Sequence, residues 1–184
     1  MGGDINGSIT VNIEETGCHP ITIGELYGCG NQAAYATPSG KAHPTINIKS
    51  FTSIGRVFGG GYGSGAIVTG NPTVNINEIK GAHAADAYAG ETKTIDGVSV
   101  TLPAHAANSI GAIGTVFGGG NAAEVRGNTT VNIGTAATVS YVSGSDHTAK
   151  DVVGASITGN VYGGGNQANV TGNTSVTIGK AVNP

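Results

Sequence analysis

The chain has 184 residues, a length that suits one domain. Charged residues make up only 10%, the net charge is −3, and the eight Lys and Arg are scattered singly; this excludes the basic face that nucleic acid demands. No apolar run is long enough to cross a bilayer as a helix, so direct membrane insertion is not expected.

In chain order, Met1-Gly2-Gly3-Asp4 lacks the charged and apolar parts of a signal peptide, so a secreted form would already have lost its signal. Thr10-Val11-Asn12-Ile13 is the first element: two branched apolar residues on one face of a strand, polar ones on the other. Glu14 and Glu15, being adjacent, point to opposite faces of such a strand. Cys18 and Cys29 are either bridged across stacked coils or a pair of buried thiols, and their spacing is neither a metal nor a redox motif.

Next comes a box that recurs: Leu26-Tyr27-Gly28-Cys29-Gly30-Asn31-Gln32-Ala33. It returns as Val57-Phe58-Gly59-Gly60-Gly61-Tyr62, as Val116-Phe117-Gly118-Gly119-Gly120-Asn121-Ala122-Ala123, and as Val161-Tyr162-Gly163-Gly164-Gly165-Asn166-Gln167-Ala168. A second box follows each copy: Thr45 to Ile48, Thr73 to Ile76, Thr130 to Ile133 and Ser175 to Ile178. Gly70-Asn71, Gly127-Asn128 and Gly172-Asn173 lead into three of them. Glu124-Val125-Arg126 and Asn169-Val170-Thr171 supply a short strand between the boxes. The 33 glycines sit at fixed places beside β-branched residues and read as turn punctuation.

Two stretches interrupt the repeat, at about 78–108 and 135–154. In the first, Asp96-Gly97 between β-formers predicts a two-residue hairpin, and Ala82 to Ala89 reads as a short helix. Insertions of this kind are expected to leave the stack as loops on one side, often the binding side.

No single unit can bury its apolar face alone, so the units must stack, pairing each strand with its copy above and below. The expected fold is all-β: a right-handed parallel β-helix, or β-solenoid, of a few coils, with loop or hairpin insertions. A trimeric head of β-rolls is the architectural rival. Stacking puts Val176 over Val131 and Asn166 over Asn121, the latter as an amide ladder. Residues 1–184 then form one domain, read as a segment of a longer array in which neighbouring repeats cover the end coils. Turn roles fall on Gly28, Gly30, Gly59, Gly61, Gly118, Gly120, Gly163, Gly165, Asn31, Asn121 and Asn166.

The run from Val161 to Gly179 resembles the glycine-rich repeats of large surface proteins of gut bacteria, which are adhesin-like and similar to pectin-lyase-like β-helices. The resemblance covers most of the chain outside the two insertions. It implies an extracellular or cell-surface location, a binding or scaffolding role, and no catalytic residue.

Three chemical motifs give way to plainer readings. Gly28 to Ala33, Gly118 to Ala123 and Gly163 to Ala168 fit a dinucleotide fingerprint, but no helix follows to receive the phosphates. A calcium β-roll needs a recurring Asp where Asn121 and Asn166 stand, so no metal is expected in the coils; a single site near Asp146 and Asp151 stays open. The rank Thr10, Thr45, Thr73, Thr130 and Ser175 reads as strand-forming residues beside a turn rather than an ice-binding array.

Tyr27, Phe58, Phe117 and Tyr162 recur in register, either as a core stack or as an outward ladder for stacking on sugar rings. Val57, Val116 and Val161 are the better core candidates, and only one of each pair faces inward in a regular strand. His19, His43, His83 and His105 show no ligand spacing, Asp146-His147 is isolated, and Arg56 and Arg126 read as solvated surface groups. No cofactor is expected.

The sequence therefore points to a non-enzymatic extracellular repeat module, an adhesive or structural scaffold. The alternatives are a carbohydrate-binding β-helix and, last, a polysaccharide-degrading enzyme using Asp86, Glu91, Asp146 or Asp151. Expected partners are a host or plant glycan or a surface protein.

Overall fold

The computed structural model describes residues 5–17, 19–141 and 148–179. Cys18, Asp146 and His147 lie outside the described residues, and with them the question of a Cys18–Cys29 bridge and the acidic pair with Asp151. Among the described residues there is no helix and there are sixteen strands. These are β1 (Thr10–Glu14), β2 (Thr22–Tyr27), β3 (Tyr35–Ala36), β4 (Thr45–Ser50), β5 (Ser53–Phe58), β6 (Val68–Thr69), β7 (Thr73–Ile76), β8 (Glu91–Ile95), β9 (Val98–Leu102), β10 (Ala112–Phe117), β11 (Val125–Arg126), β12 (Thr129–Ile133), β13 (Thr138–Ser140), β14 (Ala149–Asp151), β15 (Val161–Tyr162) and β16 (Thr174–Ile178).

Eleven of these strands and a bridge residue build three parallel sheets, with β1 added at one edge. The first runs β1-β4-β7-β12-β16, the second β2-β5-β10-β15, and the third β3-β6-β11, which Val170 extends by a bridge to Val125. From β2 onward the chain visits second, third and first sheet in that order, four times. Identical box positions pair: Val131 with Val74 and Val176, Val116 with Val57 and Val161. The remaining strands form two antiparallel hairpins, β8–β9 and β13–β14.

Alternation sets the core. In β4 and β7 the branched residues Ile46, Ile48, Val74 and Ile76 are buried while the intervening Asn47 and Asn75 are not. They join Ile54, Val57, Val116, Val131 and Ile133 in one cluster. On the outer face of the first sheet the asparagines chain their amides: Asn47 donates to Asn12 at 3.0 Å, Asn75 to Asn47 at 3.0 Å and Asn132 to Asn75 at 2.9 Å. At the corner before this sheet, Asn71 Oδ1 accepts the Asn128 N–H and Asn128 Oδ1 the Asn173 N–H. Each amide thus satisfies a donor that a turn would leave open.

The box glycines have a different cause from the one their turn positions suggest. None in the three Gly-Gly-Gly runs has a positive φ. A Cβ on Gly28 would run into the carbonyl oxygen of Gly59, one on Gly59 into that of Gly118, and one on Gly118 into that of Gly163. Close approach of neighbouring rungs excludes the side chain. The left-handed residue comes later, at Gln32 (φ 56°), Gly63 (82°), Ala122 (55°) and Gln167 (61°). Left-handed backbone costs a side-chain-bearing residue roughly 1–2 kcal/mol, partly offset by glycine's entropy in the unfolded chain. Ala122→Gly is therefore expected to stabilise by about 0.5–1 kcal/mol, read as a rise of about 2 °C in thermal unfolding.

Two expectations about the first insertion need correcting. Ala82 to Ala89 is not a helix: Ala84 N–H bonds to Gly81 and Asp86 N–H to His83, giving separate turns. The run is too short to nucleate a helix, and the N–H of His83 is taken by the Glu15 carboxylate at 2.7 Å. Nor does the whole insertion stand off as a loop. The β8–β9 hairpin, turning at Asp96 (φ 47°) and Gly97 (φ 79°) as the Asp-Gly signal predicts, folds back onto the outer face of the second sheet. A side chain on Gly24 would collide with Ile95, and one on Gly55 with Val100. These strand glycines leave a flat track on which Val100 and Leu102 become buried.

Candidate functional site

The four recurrent aromatics form one ladder on the outer side of the second sheet, their Val or Leu neighbours facing the core. Tyr27, Phe58, Phe117 and Tyr162 stack ring on ring at 4.9, 4.9 and 5.0 Å, within 15° of parallel. Phe58 is fully buried, Tyr27 and Phe117 half-buried, and Tyr162 exposed. As expected, only the Val or Leu of each pair faces the core cluster, yet Phe58 on the outer side is buried as fully as Val57. Neighbouring rings and Arg56, 5.8 Å from the Phe58 ring centre, cover the outer face as well. Inside the ladder each ring spends its faces on its neighbours.

Beside the ladder lies a cleft of about 380 Å³, closed on one side by the hairpin tip at Ile95 and Asp96 and on the other by the turn after β2. A smaller hollow of about 220 Å³ adjoins it and shares Glu25, Tyr62, Ile95 and Asp96 as walls. Glu25 and Arg56 occupy the same register position on β2 and β5 and form an ion pair. Tyr27 Oη donates to Glu25 Oε2 at 2.7 Å, and Asn121 Nδ2 donates to Tyr27 Oη at 3.1 Å. Burial foremost, together with the Glu25 contact, pushes the Tyr27 hydroxyl well above its usual range. The Tyr62 hydroxyl is raised as well, mainly by its hydrogen bond to Asp96. Burial pushes the Cys29 thiol in the same wall up to about 12, so it is a neutral group and no nucleophile.

Tyr62 is the residue that the sequence pattern underweights. In the other three rounds its place is held by Asn31, Asn121 and Asn166, and it pairs in register with the first two. Its ring lies 5.5 Å from that of Tyr27, tilted by 58°. Asn166 donates to Asn121 at 3.0 Å as expected, and Tyr62 interrupts that ladder before Asn31. The break in the repeat was the available signal. Aligning the residue before each box would also have brought Glu25 onto Arg56.

The turn residues Gly28, Gly30, Gly59, Gly61, Gly118, Gly120, Gly163 and Gly165 line the bends that lead from the second sheet toward the third. A second hollow, also about 380 Å³, lies between the Asn12–Asn47–Asn75 ladder and β13. Lys49 Nζ spans it, bonding to Glu14 at 3.0 Å and to the Ser140 carbonyl at 2.7 Å. The threonine rank is in register through Thr10, Thr45, Thr73, Thr130 and Ser175 on the same face.

Glu15, Asp86 and Glu91 have structural partners. Glu15 is buried, accepting from Thr52 Oγ1 at 3.1 Å and His83 N–H at 2.7 Å. Asp86 pairs with His83 at 3.2 Å. Glu91 contacts Lys93 at 2.9 Å and Tyr88 at 3.0 Å, and these bonds, Lys93 first, hold its carboxyl below the usual range. Asp151 is exposed on β14, on the other hairpin. The expectation of a solvated surface group fails for Arg56, which pairs with Glu25, and Glu15 too has its partners within the fold. Among the described residues no group of three or more His, Cys, Asp or Glu is placed to hold a metal. No family model, curated protein or solved structure matches the chain.

Proposed function

We propose that the three parallel sheets are the faces of one β-solenoid, right-handed, and that the chain serves as a non-enzymatic extracellular repeat module, an adhesive or structural scaffold at a cell surface. The observation that carries this reading is repetition in register: the same residue types meet at the same rung positions through all three sheets. Such a body gains length by adding units, each stabilised by its neighbours. Among the described residues, β15 and β16 are edge strands of their sheets. Tyr162, Val176 and Ile178 are exposed there, while Val131 and Ile133 one rung inward are buried. A further repeat, stacking its own boxes on this edge, would bury them. The resemblance read in the run from Val161 to Gly179 would imply the same role.

Labelling intact producing cells with a membrane-impermeant amine reagent tests the location. Lys41, Lys80 and Lys150 are exposed acceptors. Modification of all three without lysis is the expected result; labelling only after lysis would overturn the reading. Carbohydrate binding is the second reading, and the cleft around Tyr62 favours it.

A further inference from the structure

We propose that the cleft between the tip of the β8–β9 hairpin and the turn after β2 binds a neutral saccharide, with Tyr62 as its stacking ring. The inference rests on the carbohydrate-binding reading and adds a place and a ligand class.

The repeat itself marks the place. Three rounds carry Asn followed by a left-handed Gln or Ala, whereas the second carries Tyr62-Gly63. A Cβ on Gly63 would collide with the Gln32 side chain, so this exchange removes bulk and installs an aromatic at one step. The β8–β9 hairpin brings its tip to that ring. The two departures from the repeat are far apart in sequence, yet both wall the same cleft.

Size and chemistry fix the class. The main hollow and its neighbour lie within or just below the range of small-ligand sites, about 300–1,000 Å³. Sugar hydroxyls both donate and accept, and planar amides and carboxylates match neighbouring hydroxyl pairs. Asn31, Gln32, Asn121, Asn166, Glu25 and Asp96 present such groups around Tyr62. A tyrosine ring combines an apolar face for sugar C–H groups with a polar tip. Of the ladder rings, Phe58 and Phe117 have both faces stacked, Tyr162 does not line the cleft, and Tyr27 gives one face to Phe58 and its hydroxyl to Glu25.

Charge then excludes acidic sugars. The walls hold two carboxylates, Glu25 and Asp96, against the single guanidinium of Arg56, which Glu25 already pairs. Uronate or sialate carboxylates would meet like charge in a partly enclosed space and find no free cation among the lining residues.

Calorimetric titration with neutral β-glucan, mannan, xylan and galactan oligosaccharides, beside galacturonate oligomers of matched length, tests this. Binding of at least one neutral class and none of galacturonate is expected. Tyr62→Ala should weaken that binding by about tenfold or more, while Tyr62→Phe, which keeps the ring, should change it by about threefold or less. Asp96→Asn, at an exposed tip whose positive φ asparagine tolerates, separates site effects from folding; unchanged thermal unfolding with weakened binding is expected. Tighter binding of galacturonate overturns the charge argument. Neutral binding that survives both Tyr62→Ala and Asp96→Asn overturns the site while leaving the carbohydrate reading intact. Failure of every saccharide to bind overturns both.

Discussion

Gly59→Ala is expected to destabilise the protein by about 3 kcal/mol or more, while Gly164→Ala changes stability by less than about 0.5 kcal/mol. Both glycines belong to the same repeated triplet. At Gly59 the added Cβ would press on the carbonyl of Gly118 one rung away, with Val74 Cγ2 at 3.2 Å on the core side. Neither the backbone nor a packed valine can yield cheaply, and overpacking of this kind typically costs about 1–3 kcal/mol, sometimes more. The same shift would also lengthen the 2.9 Å hydrogen bond from Gly59 N–H to Phe117. At Gly164 nothing lies within 4 Å of the added atom and φ is not left-handed. Cys29 already carries a side chain at this middle place of the triplet in the first round. Thermal unfolding should drop by about 6–12 °C for Gly59→Ala and stay near the parent for Gly164→Ala. Equal losses at both positions would mean that glycine is required there for backbone freedom rather than for close approach between rungs.

That contrast marks what the sequence can and cannot disclose. Register was legible, because identical boxes have to align for branched residues to share a face; Val176 does lie beside Val131 and Asn166 beside Asn121. The turn at Asp96-Gly97 was legible too, since two consecutive positive φ values need residues of that kind. The landing place of the hairpin was not. Gly24, Gly55 and Gly114 stand outside the recurring boxes, and only the fold shows that their bare backbone is the track on which the hairpin lies. Local pattern also misjudged Ala82 to Ala89, where a long-range bond from His83 N–H to Glu15, 68 residues back, competes with any helical turn. At the candidate cleft the partners come from β2, β5, the turns of all four rounds and an insertion, a combination that no single repeat unit contains.

Glu78→Gln is expected to raise stability at neutral and alkaline pH and to leave it unchanged near pH 4. Glu78 follows β7 at the start of the first insertion, where it meets the end of the second. Its backbone N–H bonds to the Gly154 carbonyl at 2.9 Å, and its own carbonyl accepts from Val153 at 2.7 Å. The side chain is fully buried, Oε1 has only a long 3.4 Å bond from Ser156 N–H, and Oε2 has no partner among the described residues. Burial drives the carboxyl well above its ordinary range, opposed only by the Ser156 bond, with no charged neighbour contributing. The folded state therefore holds this proton more tightly than the unfolded chain does. Its contribution to stability is complete below the unfolded carboxylate range, near pH 4, and is lost as pH rises toward the raised folded value. Glutamine keeps the shape and abolishes the titration. A gain of about 3 °C in thermal unfolding at pH 8, shrinking to nothing at pH 4, is the expected profile, about 1 kcal/mol for a chain of this size. Glu78→Ala offers a second reading of the same cause: it leaves a cavity at every pH but should likewise flatten the pH dependence. Parallel pH profiles for parent and both variants would show that Glu78 is charged in the fold and that solvent or a group outside the described residues meets it at the base of the insertion.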